Sequence, residues 1–420
     1  MVYRDLKLIY FDDFIQLQGW NTCSSCFGDI KKHRNKLVLP CLNSDRVYII
    51  KILPSKDGVY DAKIDHVIEP KDLHMLNVSA PHTSHCLPNG QIMLSTLGDE
   101  NGNAKGGLLC LEFDKIFKTT KLWNNVNVKF GYDFWYQPKF DVLVSSEWGS
   151  PNCFKTGFNL EQSEHYGSSL HFWSWKTGNL IKSVDLNEII PGTKMPLEVR
   201  FLHNPNKPIG YVGCALSGNV FRFTLENDDW KFEEVIRIPS KKVSGWILPE
   251  LPALITDILI SMNDRFLYVS CWGFGEVRQY CLDEDMPKLV GIIRLGGIPT
   301  VHPDVKITDD PESKLNVEVI SQIKSEKILG GSQMLQLSLD GRRLYVTNSL
   351  HSAWDKQFYS EMYENGSQMV LIEVNTDKGG LKINKNFVVN FGNEPSGPSL
   401  AHEMRYSGGD CTSDIFLSKT

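Results

Sequence analysis

Nowhere does this chain of 420 residues run apolar for the roughly 18 residues that a membrane-spanning helix needs. Its opening, MVYRDLKLIYFDDFIQLQ, interrupts every apolar stretch with charge and so offers neither a signal-peptide core nor a spanning segment. Positive charge is also scarce. Lys and Arg number 44 against 50 Asp and Glu, a net charge of −6, and no basic stripe studded with aromatics occurs, which excludes general nucleic-acid binding. GxSxG, Walker and strand-turn-helix GxGxxG motifs are missing, which argues against hydrolase, NTPase and dehydrogenase chemistry. Cys23-Ser24-Ser25-Cys26 has no second CxxC to complete a four-thiolate zinc site. The ten cysteines are scattered as reduced intracellular thiols would be, not spaced as a disulfide framework, so the cytoplasm is the expected compartment, with the nucleus open to the protein as well.

What the chain does have is repetition. Ser261-Met-Asn-Asp-Arg-Phe-Leu-Tyr-Val-Ser270 and Ser338-Leu-Asp-Gly-Arg-Arg-Leu-Tyr-Val-Thr347 share Ser, Arg, Leu, Tyr and Val in register, and both read as strand, tight turn, strand. Weaker copies carry LPNG before QIMLSTLG, QPKFD before VLVSSEW and NPNKP before IGYVGCAL, with polar turn residues at each reversal. Two further strand-like runs follow each hairpin. This rhythm predicts an all-β, seven-bladed β-propeller in one domain over 1–420, with six complete blades beginning near residues 20, 80, 131, 197, 253 and 332. A seventh unit begins near 400, so the closing blade is expected to be incomplete. Residues 1–18 form a divergent N-terminal segment, and 297–330, rich in Pro, Asp, Lys and Ser, reads as a long surface loop.

Blade starts line the axis of a propeller, and four of the eleven histidines fall on or just before them: His82 and His85 in PHTSHC, His203 in RFLHNP and His402 in AHEMRY. Imidazoles gathered there suit copper, zinc, iron or nickel, and hydrogen-bonded structural histidines are the equal alternative. His82 and His85 stand three apart, so on a regular strand they face opposite ways, and sharing one ion requires a break in the strand. Glu403 and Asp410 are candidates to orient an imidazole, or simply to pair with Arg405. Cys23 and Cys26 read first as structural thiols, with a redox dithiol and half a zinc site as alternatives. The aromatic run Tyr132 to Tyr136, with Trp148, Trp173 and Trp175, is blade packing in the first place and the wall of an apolar pocket in the second.

The strings GWNTCSSCFGD, KLVLPCL, HTSHC, TLGDENGNAKGG, GYDFWYQPKFDVLVSSEW, RFLHNP, GWILPELPALITDILIS, DGRRLYVTNSLHSAWDKQFY and LAHEMRYSGGDCTSDI together closely resemble the selenium-binding protein family, whose members are also described as methanethiol oxidases. The resemblance runs from about Gly19 to the C-terminus. It implies a seven-bladed propeller and a copper-dependent oxidase acting on a small thiol: methanethiol, oxygen and water would give formaldehyde, hydrogen sulfide and hydrogen peroxide. His82, His85, His203 and His402 are the metal ligands it implies, and Cys23 and Cys26 match the family CxxC and a thiol or selenium role. A redox metal suits the substrate, because a thiolate is a soft ligand and side chains alone do not carry one-electron steps. Two departures stand out. Gln16-Leu17-Gln18 occupies the place of a family His-His pair, and the family's N-terminal extension has no counterpart. The competing expectation is therefore a non-catalytic propeller that binds selenium, thiols or trafficking proteins. A lactonase-type propeller is less suited, since its calcium would want oxygen ligands and this axis is rich in histidine.

Overall fold

The structure is a computed structural model that describes residues 19–21, 34–54, 60–112, 120–124, 126–315, 317–394, 397–406 and 411–417. Within them the chain builds six four-stranded antiparallel meanders in sequence order, each paired strand to next strand. Their first strands are Gly19–Trp20, Ser79–Cys86, Phe134–Gln137, Pro196–Phe201, Ile255–Ile260 and Leu335–Leu337. These starts lie within three residues of those read from the sequence. The arrangement is all-β and propeller-like.

The two best repeats owe their likeness to one turn chemistry. Ser261 and Ser338 each accept, through the side-chain oxygen, a backbone N–H five residues on, from Phe266 at 2.9 Å and Arg343 at 3.0 Å. Their own amides return to the carbonyls of the same two residues. Three residues into each turn the backbone is left-handed, with Asp264 at φ 59° and Gly341 at φ 72°, the conformation that Asp, Asn and Gly tolerate best.

First strands of successive sheets face one another and are tied by buried polar contacts. Thr83 of the second sheet donates to Asp133 at the entry to the third (2.9 Å). Asp133 accepts from Val199 N and from Arg200 Nη1 of the fourth, both at 2.8 Å. Arg200 lies 2.7 Å from Glu198 and 3.6 Å from Asp257 of the fifth, and Asp257 accepts from Leu335 N of the sixth at 2.7 Å. Side chains from four sheets and the main chain of a fifth thus meet along one line of contact.

The segment 297–330 is not a bare loop. It carries a helical turn at Ile298–Val301, a strand Lys306–Asp309 that pairs with Lys241–Ser244, a short strand Val319–Ile320 added in parallel to the fifth sheet, and a hairpin at 322–327. Buried charge holds it down. Lys241 pairs with Asp310 at 3.0 Å, Arg278 with Glu312 at 2.6 Å, and Glu276 with Arg278 and Arg294. The C-terminal stretches 401–406 and 411–417 carry no strand pairing. The second packs Ile415 into the core shared by the second, third and fourth sheets. The divergent N-terminal segment 1–18 lies outside the described residues.

Candidate functional site

Parallel first strands give the line of contact two ends. Residues at their N-terminal ends, Tyr132, Leu197, Leu254 and Thr256, line a narrow apolar recess, joined by Trp148, Trp272, Leu350 and Trp354. Two of the expected histidines stand at its rim. His82 lies against Tyr132 with ring centroids 4.0 Å apart, and its Nδ1 is 3.0 Å from Thr83 Oγ1. Thr83 spends its hydroxyl hydrogen on Asp133, so His82 Nδ1 is the donor to Thr83 and Nε2 carries the lone pair. That Nε2 is buried and has no hydrogen-bond partner among the described residues. His402 donates from Nδ1 to the Ser349 carbonyl at 2.9 Å, which likewise makes Nε2 its lone-pair nitrogen.

Burial holds these rings neutral. It pushes His82 well below the usual imidazole range, and a charge on His402 would push it lower. His402 falls to about 4 through burial, in spite of its carbonyl partners. A third ring was not singled out by strand position. His351, between Leu350 of the recess wall and the helix Ser352–Phe358, reaches Asn43 Oδ1 of the first sheet at 3.0 Å and meets Trp148 edge-on at 6.3 Å. Burial first, then His402 and Lys155, drops it to about 3. Its only sequence signal is its place in SLHSAWDKQFY.

His85 shares a face of its strand with His82. Between Pro81 and Ser84 the strand gains one residue on its partner, pairing Pro81 with Thr96 and Ser84 with Leu94. That bulge cancels the alternation that would set the two rings on opposite faces. His85 packs edge-on against Phe134 at 5.1 Å and Trp135 at 5.4 Å, farther along the line of contact, and its Nε2 too is buried with no hydrogen-bond partner among the described residues. Burial, then the guanidiniums of Arg200 and Arg405, lower its proton affinity.

His203 belongs elsewhere. It follows the strand Pro196–Phe201 instead of opening it. Its Nδ1 lies 3.2 Å from the Ser261 carbonyl and its Nε2 2.9 Å from the Thr412 carbonyl, so each nitrogen faces a main-chain oxygen. Glu403 pairs with Arg405 at 2.6 Å, the plainer of the two roles expected for it. Cys23, Cys26, Asp410 and Gln16 to Gln18 lie outside the described residues. Among the described residues no three His, Cys, Asp or Glu side chains come together as a metal-holding group. The eight described cysteines are all free thiols. Of the aromatic run, Tyr132 and Trp148 wall the recess, whereas Phe134, Trp135, Tyr136 and Trp173 fill the core of the third sheet.

Fold and site together define a propeller-like protein whose axis opens at one end on an aromatic recess rimmed by neutral imidazoles. The chain belongs to the 56kDa selenium binding protein family, whose model matches residues 1–417. It is 49% identical over 99% of its length to a methanethiol oxidase of Xenopus laevis and 48% identical to that of Homo sapiens, covering 88% of each. It superposes on a hypothetical selenium-binding protein from Sulfolobus tokodaii with TM-score 0.83 at 36% identity, over 99% of this chain and 88% of that one. A periplasmic gluconolactonase of Pseudomonas aeruginosa, TM-score 0.52 at 11% identity over 85% of this chain and 83% of that one, shares the fold alone. No helix among the described residues is long and apolar enough to cross a membrane.

Proposed function

We propose that this chain is a methanethiol oxidase, converting one molecule each of methanethiol, oxygen and water to one each of formaldehyde, hydrogen sulfide and hydrogen peroxide. The observation that carries the reading is the buried, unpartnered Nε2 of His82 at the edge of an aromatic recess, in a chain about half identical to proteins named for that activity. The apolar wall suits a small alkyl thiol and keeps water from it. His82 Nε2, the ring's one lone-pair nitrogen, is the position suited to a metal, and the chain from His82 through Thr83 to Asp133 holds that ring in one tautomer.

The cofactor belongs to the proposal. His82 and His85 fit copper, because each keeps a neutral, buried imidazole nitrogen that has no hydrogen-bond partner among the described residues; His402 is the third imidazole of the set. His203 does not fit, each of its nitrogens facing a main-chain carbonyl. A copper ion, when bound, would supply the one-electron steps and a soft partner for sulfur. A cytoplasmic setting accords with the free thiols. The seven-bladed count is likewise proposed, on the family resemblance, with 401–406 opening the seventh unit.

A second reading, a selenium- or thiol-binding module without turnover, is favoured by the lack of a three-donor group among the described residues. One experiment separates them: metal analysis of the purified protein, with formaldehyde, sulfide and peroxide measured on exposure to methanethiol and air. Equal yields of the three products support the oxidase. Methanethiol or selenite binding with no product from copper-loaded protein overturns it in favour of the module.

A further inference from the structure

We infer that the recess between Tyr132, Trp148, Leu197, Ala215, Trp272 and Trp354 is the seat of the substrate's alkyl group and limits it to a single carbon. The inference rests on the oxidase reading for its choice of thiol. Its size limit rests on the walls.

Three observations carry it. The cavity is small, about 10 Å³ for the centre of a water-sized sphere, the space of one small group. Its lining is nearly all apolar, and the imidazoles stand next to that lining: Tyr132 touches His82, Trp148 touches His351, and Leu350 follows the Ser349 whose carbonyl holds His402. An alkyl group in the recess therefore directs its sulfur toward those rings. Beside them lies Trp148 Nε1, a buried N–H with no hydrogen-bond partner among the described residues, which is the donor a thiolate sulfur would meet.

The walls are also braced against expansion. Trp148 stacks on Phe154 with centroids 4.1 Å apart and lies 5.6 Å from Trp354. Trp354 donates to the Phe154 carbonyl at 3.0 Å, and Trp272 to the Asn348 carbonyl at 3.1 Å. Rings fixed by both packing and hydrogen bonds do not swing aside for an extra methylene without loss.

The alternative, an open apolar pocket, makes the opposite demand. A pocket with room to spare favours ethanethiol over methanethiol roughly fourfold, one buried methylene's worth. A closed recess disfavours ethanethiol by about tenfold or more in kcat/KM. The test is a series of methanethiol, ethanethiol and propanethiol on the wild type, on Ala215→Val, which fills the recess, and on Leu197→Ala, which enlarges it. Ala215→Val is expected to raise the KM for methanethiol about tenfold with kcat and metal content little changed, and Leu197→Ala to reverse the preference toward ethanethiol. Each thiol is also titrated without oxygen, reading the fluorescence of the tryptophans in the wall. If no variant turns over but anaerobic binding ranks methanethiol first in the wild type and ethanethiol first in Leu197→Ala, the recess assignment stands and the oxidase reading falls. If turnover is normal but neither substitution changes the ranking, the recess assignment falls and the oxidase reading stands. Should Leu197→Ala not fold, the wild-type series and Ala215→Val decide alone, and a wild type that prefers ethanethiol overturns the inference.

Discussion

At the N-terminal ends of the first strands, His82 lies against an aromatic face and a threonine hydroxyl, and its Nε2 is buried without a hydrogen-bond partner among the described residues. At the C-terminal ends, His203 is clamped between the Ser261 and Thr412 carbonyls. Residues 412–416 run past it, and they also accept hydrogen bonds from Gln336 and Gln137. The same side chain, buried to a similar degree, keeps an open nitrogen in one place and is a bracket in the other. The cause is what the main chain offers. Where carbonyls are left over at strand ends, an imidazole satisfies them and contributes stability; where the neighbours are rings, a nitrogen is left over and becomes available for chemistry. Between the two ends lies the Arg200 hub, which fixes the spacing of the first strands.

The strongest way to break this division is to remove the hub. Arg200→Leu leaves Asp133 with a buried charge and no guanidinium, and the cost expected in denaturant unfolding is about 3 to 5 kcal/mol. A loss under about 1 kcal/mol would mean that water already solvates the centre. Next comes the direct contrast. His203→Ala removes the ring's hydrogen bond to the carbonyls that flank it, about 1 kcal/mol, and leaves copper content and turnover per folded molecule unchanged. His82→Ala is expected to do the reverse, abolishing turnover with little change in melting temperature. If both variants lose metal together, the two ends of the axis do not differ as described.

A smaller effect sharpens the recess end alone. Asp355 accepts from Ser349 Oγ at 2.6 Å and from Leu350 N at 2.9 Å, and so positions the carbonyl that holds His402. Asp355→Asn leaves one of those donors facing an amide NH₂ group. Copper affinity is expected to fall about tenfold while the fold persists. Unchanged affinity, measured by competition with a chelator, would show that His402 is oriented without it.

The sheets were legible because turns are local. Ser261 and Ser338 carry their instructions within five residues, so the strand starts could be read to within a turn. The contacts that decide the site are not local. His203 finds Thr412 at 209 residues' distance, and nothing in RFLHNP distinguishes the end of a first strand from its beginning. The bulge that puts His82 and His85 on one face depends on pairing with 94–96, not on the spacing of the histidines. The stretch 297–330 looked like loop because its anchors, Lys241 and Arg278, stand outside it and are themselves charged residues of the sort usually left in water. His351 lies at no strand start and carried no positional signal at all.

The smallest effect expected is a tilt in stability with pH, and its sign distinguishes recess from hub. His402 titrates near 4 in the fold against about 6.5 unfolded, so its stability contribution is intact above 6.5 and is lost as pH falls toward 4, where the unfolded chain takes up a proton that the fold refuses. His82, His85 and His351 act in the same direction. Asp257 runs the other way. Burial raises it to about 7, so the fold keeps its proton, and the stability this gives is present below about 3.9 and lost as pH rises through 7. Asp355, also raised to about 7 by burial, and Glu198 add to that opposing slope. Within the window from about 4 to 6.5 the two sets offset each other in the wild type. Removing one member of each exposes the slopes: relative to wild type, His402→Gln gains stability as pH falls from about 6.5 to 4, whereas Asp257→Asn loses it, each by at most about 1.4 kcal/mol per pH unit. Urea melts at about pH 4.5, 5.5 and 6.5 read the difference. Parallel curves for the two variants would mean that recess and hub are both open to water, and the contrast between an apolar recess and a charged hub would go with them.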